Sequence, residues 1–481
     1  MGLNKKNKLI LLLENFFAYG LISVLDKIIP FLMLPIITRI LPDTSAFGSY
    51  DLFNTIVGLG VAIAGLGIFD AMFREFFERT EIEHQKSVTS TSLLITGISS
   101  IILGLLFSIF AKQLSMLFFN DPSFSLVIYL SVIAIVISVY ASIVRAPTRM
   151  QNKRTIYIVS GIIQSIILYG VSIFLIFRGW SFYGLIIGFI SSYLFLLIFY
   201  FFQNKKYFSF RFINKSTGKE LLKIGIPLVA TSVIYWVFHS LDRVMIANII
   251  GLPEVGVYSA GAKVASISNI VRLAFAGGWG YFLYSSMKDK NHHETIKLVL
   301  SIVSLLTSVL LVSALLFKNT LITLLLSSEY SSANSVFIYL FMSPLFLIAF
   351  QIISDQFIVI KKSYLITISL FIGALLNILL NLLLIPIRGI EGAAFATFFS
   401  YVVAILISII IARKFKIEII SVSFTLNMIL ISIYLGLIYI LHNEFFILLM
   451  LMFSISIFMI NYKLIVTSIK YVIKKIKFRK E

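Results

Sequence analysis

Five ionisable residues, His239, Asp242, Arg243, Lys263 and Arg272, stand in or beside two apolar runs joined by a short Gly-Pro turn, HSLDRVMIANIIGLPEVGVYSAGAKVASISNIVR. Charge inside apolar sequence is costly and points to function. At 1.5 Å of helical rise per residue, Arg243 and Lys263 both lie about 12–15 Å in from the turn. His239 shares a helix face with Asp242 and Arg243 through i,i+3 and i,i+4 spacing. Asp51 sits at comparable depth in an earlier run, nine residues past Pro42, and Asp26-Lys27 lies nearer the middle of the first. Such a set is a cationic interior with a few carboxylates beside it. Its cations suit an oxyanion in a low dielectric; alternatively Asp26 with Lys27, and Asp242 with Arg243, are ion pairs that lock helices. Lys263 has no acidic neighbour between Val255 and Val271, so it calls for an outside anion or a carboxylate from another helix. The carboxylates Asp26, Asp51 and Asp242 are candidate cation-coupling positions. Arg145 and Arg149, with Asp355, are candidates for an entrance.

Catalytic constellations are missing. The five histidines form no H-E-x-x-H pattern, His292-His293 falls in a charged loop, and no phosphate-binding glycine motif occurs. Zero cysteines exclude a disulfide, a thiolate nucleophile and a cysteine metal site. No metal, cofactor or enzymatic activity is expected.

The elements that position these charges are membrane spans. The 481 residues are 59% hydrophobic and 13% charged, against about 45–50% and about 25% in soluble domains. Hydropathy predicts an all-α polytopic membrane protein of fourteen spans, near 12–38, 46–72, 88–111, 124–144, 156–177, 181–202, 222–250, 254–286, 296–317, 335–360, 364–386, 390–412, 422–441 and 445–466. Of the 40 lysines and arginines, only Arg39, Lys112, Arg178, Lys318 and Arg388 fall in the loops opposite the termini, and Lys27, Arg243, Lys263 and Arg272 fall within spans. The positive-inside rule therefore predicts both termini in the cytoplasm. The net charge of +19 reads as a topology signal and a contact for anionic lipid, not as a nucleic-acid surface. Glu14 interrupts the first apolar run, which argues against a signal peptide, and Lys6 stands where a myristoylation motif needs Ser or Thr.

A repeat is visible at a shift of 208 residues: Gly48 and Tyr50 map to Gly256 and Tyr258, Lys153-Arg154 to Lys361-Lys362, Gly184 to Gly392, and Ser192-Tyr193 to Ser400-Tyr401. It predicts two similarly oriented six-helix lobes, 1–208 and 222–412, related by a pseudo-twofold axis along the membrane normal. A basic linker at 209–221 joins them, and 413–481 adds two helices and a basic cytoplasmic tail.

LDRVMIANIIGLPEVGVYSAGAKV, LPIITRILPDTSAFGSYDLFNTIVGLG and RGIEGAAFATFFSYVVA together resemble the Wzx-type flippases of O-antigen or capsular repeat units, within the MATE-like MOP exporter superfamily. The resemblance implies carriage of undecaprenyl-diphosphate-linked oligosaccharide across a bacterial cytoplasmic membrane by alternating access. It implies substrate contacts from Lys27, Arg243, Lys263 and His239, with a polysaccharide polymerase and other biosynthesis proteins as partners. A multidrug antiporter and a lipid II flippase share the architecture and are the alternatives. A membrane glycosyltransferase or polymerase fits less well, because the outer loops are too short to hold its site.

Overall fold

A computed structural model of the chain describes residues 29–287, 289, 291–441 and 448–462. Among them every regular element is helical. In chain order these are α1 (Ile29–Ile40), α2 (Thr44–Ala64), α3 (Ile68–Phe76), α4 (Ile82–Ile109), α5 (Ala111–Phe119), α6 (Ser125–Met150), α7 (Arg154–Leu175), α8 (Ser181–Asn204) and α9 (Lys215–Ile249). There follow α10 (Leu252–Ala265), α11 (Asn269–Ser286), α12 (His292–Leu325), α13 (Asn334–Ser354), α14 (Gln356–Val359), α15 (Tyr364–Lys414), α16 (Val422–Leu441) and α17 (Leu448–Tyr462). Nine helical stretches among the described residues are long and apolar enough to cross a membrane, and outward faces such as Leu105, Ile109, Leu383 and Ile410 stay exposed. This is an all-helical, multi-pass membrane fold.

The second predicted span is broken where the pattern runs on. Leu66 (φ +48°) and Gly67 (φ +63°) are left-handed, which ends α2 and re-aims α3. The break brings backbone against backbone: a Cβ on Gly67 would strike the carbonyl of Gly225 in α9, and one on Gly225 would strike that of Leu66. Two predicted spans, 364–386 and 390–412, form one element hinged at Gly389 (φ +56°), a conformation that glycine adopts without a side-chain clash.

Contacts divide the chain into two compact units. The first comprises Met1–Val264, Ile322–Ser335 and Asn377–Ala393. Within it α2 packs on α6, α8 and α9 through the fully buried Leu52, Phe53 and Ile56. At the pole carrying the basic loops, the Asn204 amide donates to Val144 O and Thr148 Oγ1 of α6, both at 2.8 Å. The basic turn that follows is tied to α4, with Ser209 N donating to Ser90 Oγ at 2.9 Å and Asn214 N to Thr91 Oγ1 at 3.1 Å.

The second unit comprises Ala265–Leu321, Val336–Leu376 and Ala394–Glu481. Apolar burial between helices gains little over lipid, so polar and close aromatic contacts carry the specificity of packing. Asn427 of α16 and Asn461 of α17 exchange side-chain amide bonds at 2.9 and 3.2 Å, and Asn427 also donates to Ser304 Oγ of α12 at 2.9 Å. Phe395 stacks on Tyr439 with ring centres 4.2 Å apart, and Phe346 meets Phe398 edge-on at 4.9 Å.

Candidate functional site

Of the charged residues singled out in the sequence, Asp51, Asp242, Arg243 and Lys263 converge in the first unit where α2, α9 and α10 meet, whereas Arg272 belongs to the second unit. Asp43 caps α2 by accepting from Ala46 N at 2.8 Å. α10 begins after Gly251, whose φ of +110° needs a glycine. The two helices then touch through their glycines: a Cβ on Gly48 would fall 2.8 Å from Gly256 N, and one on Gly256 would overlap the carbonyl of Thr44. Gly48 and Gly256 are the residues matched by the 208-residue repeat. Three residues further along each helix, Ser259 Oγ donates to Asp51 Oδ2 at 2.7 Å, again between residues 208 apart.

Arg243 of α9 closes this arrangement. Its Nε donates to Asp51 Oδ2 at 2.7 Å, and its Nη1 to Asp242 Oδ1 at 2.9 Å and to the His239 carbonyl. Asp242 also accepts from the Tyr258 hydroxyl and from Arg243 N, the latter at 2.9 Å. Asp51 and Asp242 are only 7% and 3% exposed. Buried carboxylates of this kind persist because each is matched by a cation and its remaining lone pairs by donors. Lys263 is the more accessible cation: its ammonium is 3.9 Å from Asp51 Oδ1, and its side chain is 37% exposed against 17% for Arg243. Lys263 also lies over the Phe47 ring at 5.8 Å.

Sequence placed Arg243 among cations facing substrate; the structure gives it two carboxylates, because a guanidinium this deeply buried is stable only when compensated. The carboxylate that Lys263 called for comes from α2. His239 is exposed at its side chain and supplies its carbonyl to Arg243. Asp26 and Lys27 lie outside the described residues. Arg145 and Arg149 belong to a separate cavity of the first unit. Asp355 belongs to the second, where it accepts from Trp279 Nε1 at 2.8 Å; among the described residues no lysine or arginine forms an ion pair with it. Tyr258 and Ser259 were missed as members of the cluster. The signal that could have found them is the repeat, which pairs them with Tyr50 and Asp51.

Fold and site together define an all-helical, multi-pass membrane protein with a buried charged cluster. The chain is similar to the lipid II flippase MurJ in its inward closed conformation (TM-score 0.64, 16% identity, covering 94% of this chain and 99% of that one). It is also similar to the inward-facing form of a MATE-family multidrug resistance transporter (TM-score 0.62, 14% identity, 80% and 93% covered), and to the bent form of the MATE transporter VcmN from Vibrio cholerae (TM-score 0.54, 14% identity, 86% and 97%). No curated protein matches the chain. Residues 12–278 match the polysaccharide biosynthesis protein family, and the chain belongs to that family.

Proposed function

We propose that the protein is a flippase, carrying undecaprenyl-diphosphate-linked oligosaccharide repeat units across a bacterial cytoplasmic membrane by alternating access, with both termini in the cytoplasm. The observation that carries this reading is the different exposure of the two cations. Arg243 is clamped by two carboxylates and is 17% exposed at its side chain, whereas the half-buried Lys263 lies 3.9 Å from Asp51 and is 37% exposed. An accessible ammonium at the edge of a low-dielectric site attracts a diphosphate. We assign Lys263, with Lys27 and His239 as further contacts, to the substrate. Asp51 and Asp242 then serve chiefly as counter-charges for Arg243. Membership of a polysaccharide biosynthesis family supports a glycan cargo. The repeat-related contacts, Gly48 with Gly256 and Asp51 with Ser259, support two lobes around a pseudo-twofold axis, since near such an axis each residue meets its own equivalent.

The test is Lys263→Gln in cells that depend on this gene for surface polysaccharide. Display is expected to fall about tenfold or more while the chain remains in the membrane, with the lipid-linked precursor accumulating. Unaltered display together with drug hypersensitivity would favour a MATE-type antiporter and overturn the assignment.

A further inference from the structure

The first unit contains a second cationic feature, apart from the α2–α9–α10 cluster. Ser138, Ser142, Arg145 and Arg149 recur at helical spacing along one face of α6 and line a cavity of about 210 Å³ with Tyr157 and Tyr193. No acidic residue among the described ones lines the cavity. Arg145 lays its guanidinium on the Tyr157 ring, 3.6 Å from the ring centre. Its Nε and Nη2 are buried and make no hydrogen bond, and the same holds for Ser138 Oγ on the same wall. Buried donors are nearly always satisfied by protein, water or ligand, so three donors without a protein partner around one cavity are placed to receive a polar guest.

The chemistry of the missing partner follows from which atoms are bare. Nε and Nη2 form one edge of the guanidinium, the parallel pair of N–H groups that grips two oxygens of a phosphate or carboxylate at once. Ser138 adds a third donor, and the exposed Arg149 adds charge at the rim. A carboxylate would satisfy the fork alone, whereas a tetrahedral oxyanion has further oxygens for the serine and the second arginine. Liquid water occupies about 30 Å³ per molecule, so about 210 Å³ accommodates a phosphoryl group and the first atoms of whatever bears it.

We propose that Arg145, Arg149 and Ser138 form a docking site for a phosphoryl oxyanion, borne by a lipid headgroup or free in solution. The site goes beyond the carrier assignment and stands whether or not Lys263 contacts cargo.

The experiment uses the purified full-length chain. In detergent, binding of inorganic pyrophosphate is titrated by calorimetry. In nanodiscs, native mass spectrometry counts phosphatidylglycerol and undecaprenyl phosphate retained over phosphatidylcholine. Arg145→Lys keeps the charge and removes the fork, and is expected to weaken phosphoryl binding about tenfold or more; Ser138→Ala weakens it by less, and both are compared in a Lys263→Gln background so that the assigned cargo contact does not contribute. Pyrophosphate binding that is lost in Arg145→Lys identifies a site open to soluble phosphate, and selective loss of an anionic lipid identifies a headgroup site. Equal binding by the wild type and Arg145→Lys in both arms overturns the proposal. No transport enters the readout, so failure of the carrier assignment and failure of this site are separate results.

Discussion

Replacing Arg243 by alanine removes the one cation bonded to both buried carboxylates of the cluster. Its Nε–Asp51 contact at 2.7 Å and Nη1–Asp242 contact at 2.9 Å vanish, and two acids with little exposure stay behind. Removing one partner of a buried pair costs about 3–5 kcal/mol, chiefly because the remaining charge is left without compensation. Asp51 keeps Ser259 and the distant Lys263, and Asp242 keeps the Tyr258 hydroxyl and a backbone N–H. Those donors place the expected loss near about 3 kcal/mol, the lower end of that range. The assay is equilibrium unfolding of purified protein in detergent for Arg243→Ala, Asp51→Asn and Asp51→Asn/Arg243→Ala. The pair replacement deletes charge of both signs together, so it is expected to be more stable than Arg243→Ala, with a coupling energy of at least about 1 kcal/mol. If Arg243→Ala unfolds within about 0.5 kcal/mol of wild type, or if the single effects simply add, Arg243 does not clamp these carboxylates.

Gly256→Val puts a branched side chain where the Thr44 carbonyl already lies, and the folded yield should collapse; Gly436→Ala, with nothing near its Cβ, serves as the neutral control in the same membrane-abundance measurement. Asn427→Leu removes the amide exchange with Asn461 and the bond to Ser304, which should lower unfolding stability by about 0.6–1.7 kcal/mol. Trp279→Phe takes the indole donor from the Asp355 carboxylate, with an expected loss of about 1–3 kcal/mol by the same unfolding assay.

The membrane helices were legible because their signal is a plain run of apolar residues; α4, α6 and α16 lie within a few residues of their predicted spans or extend them by about a turn. The break at Leu66-Gly67 was not, since it depends on the close approach of a backbone at Gly225, far away in the chain. The charged cluster was half legible. Charge within apolar sequence marked Asp51, Asp242, Arg243 and Lys263, and counting rise gave them similar depth. Which acid meets which base is a matter of helix rotation and neighbour choice: Asp51 reaches Arg243 across 192 residues of sequence. Ser259 and Tyr258 carry no charge, so only the repeat could have marked them. The orphaned fork of Arg145 lies beyond any reading of sequence, because the lack of a partner is a property of packing.

Ser259 faces Asp51 at 2.7 Å, across 208 residues of chain. A second carboxylate at 259 would lie against the first, and two acids that close cannot both stay ionised. With serine there, the site keeps one negative charge and gives it a donor instead of a rival.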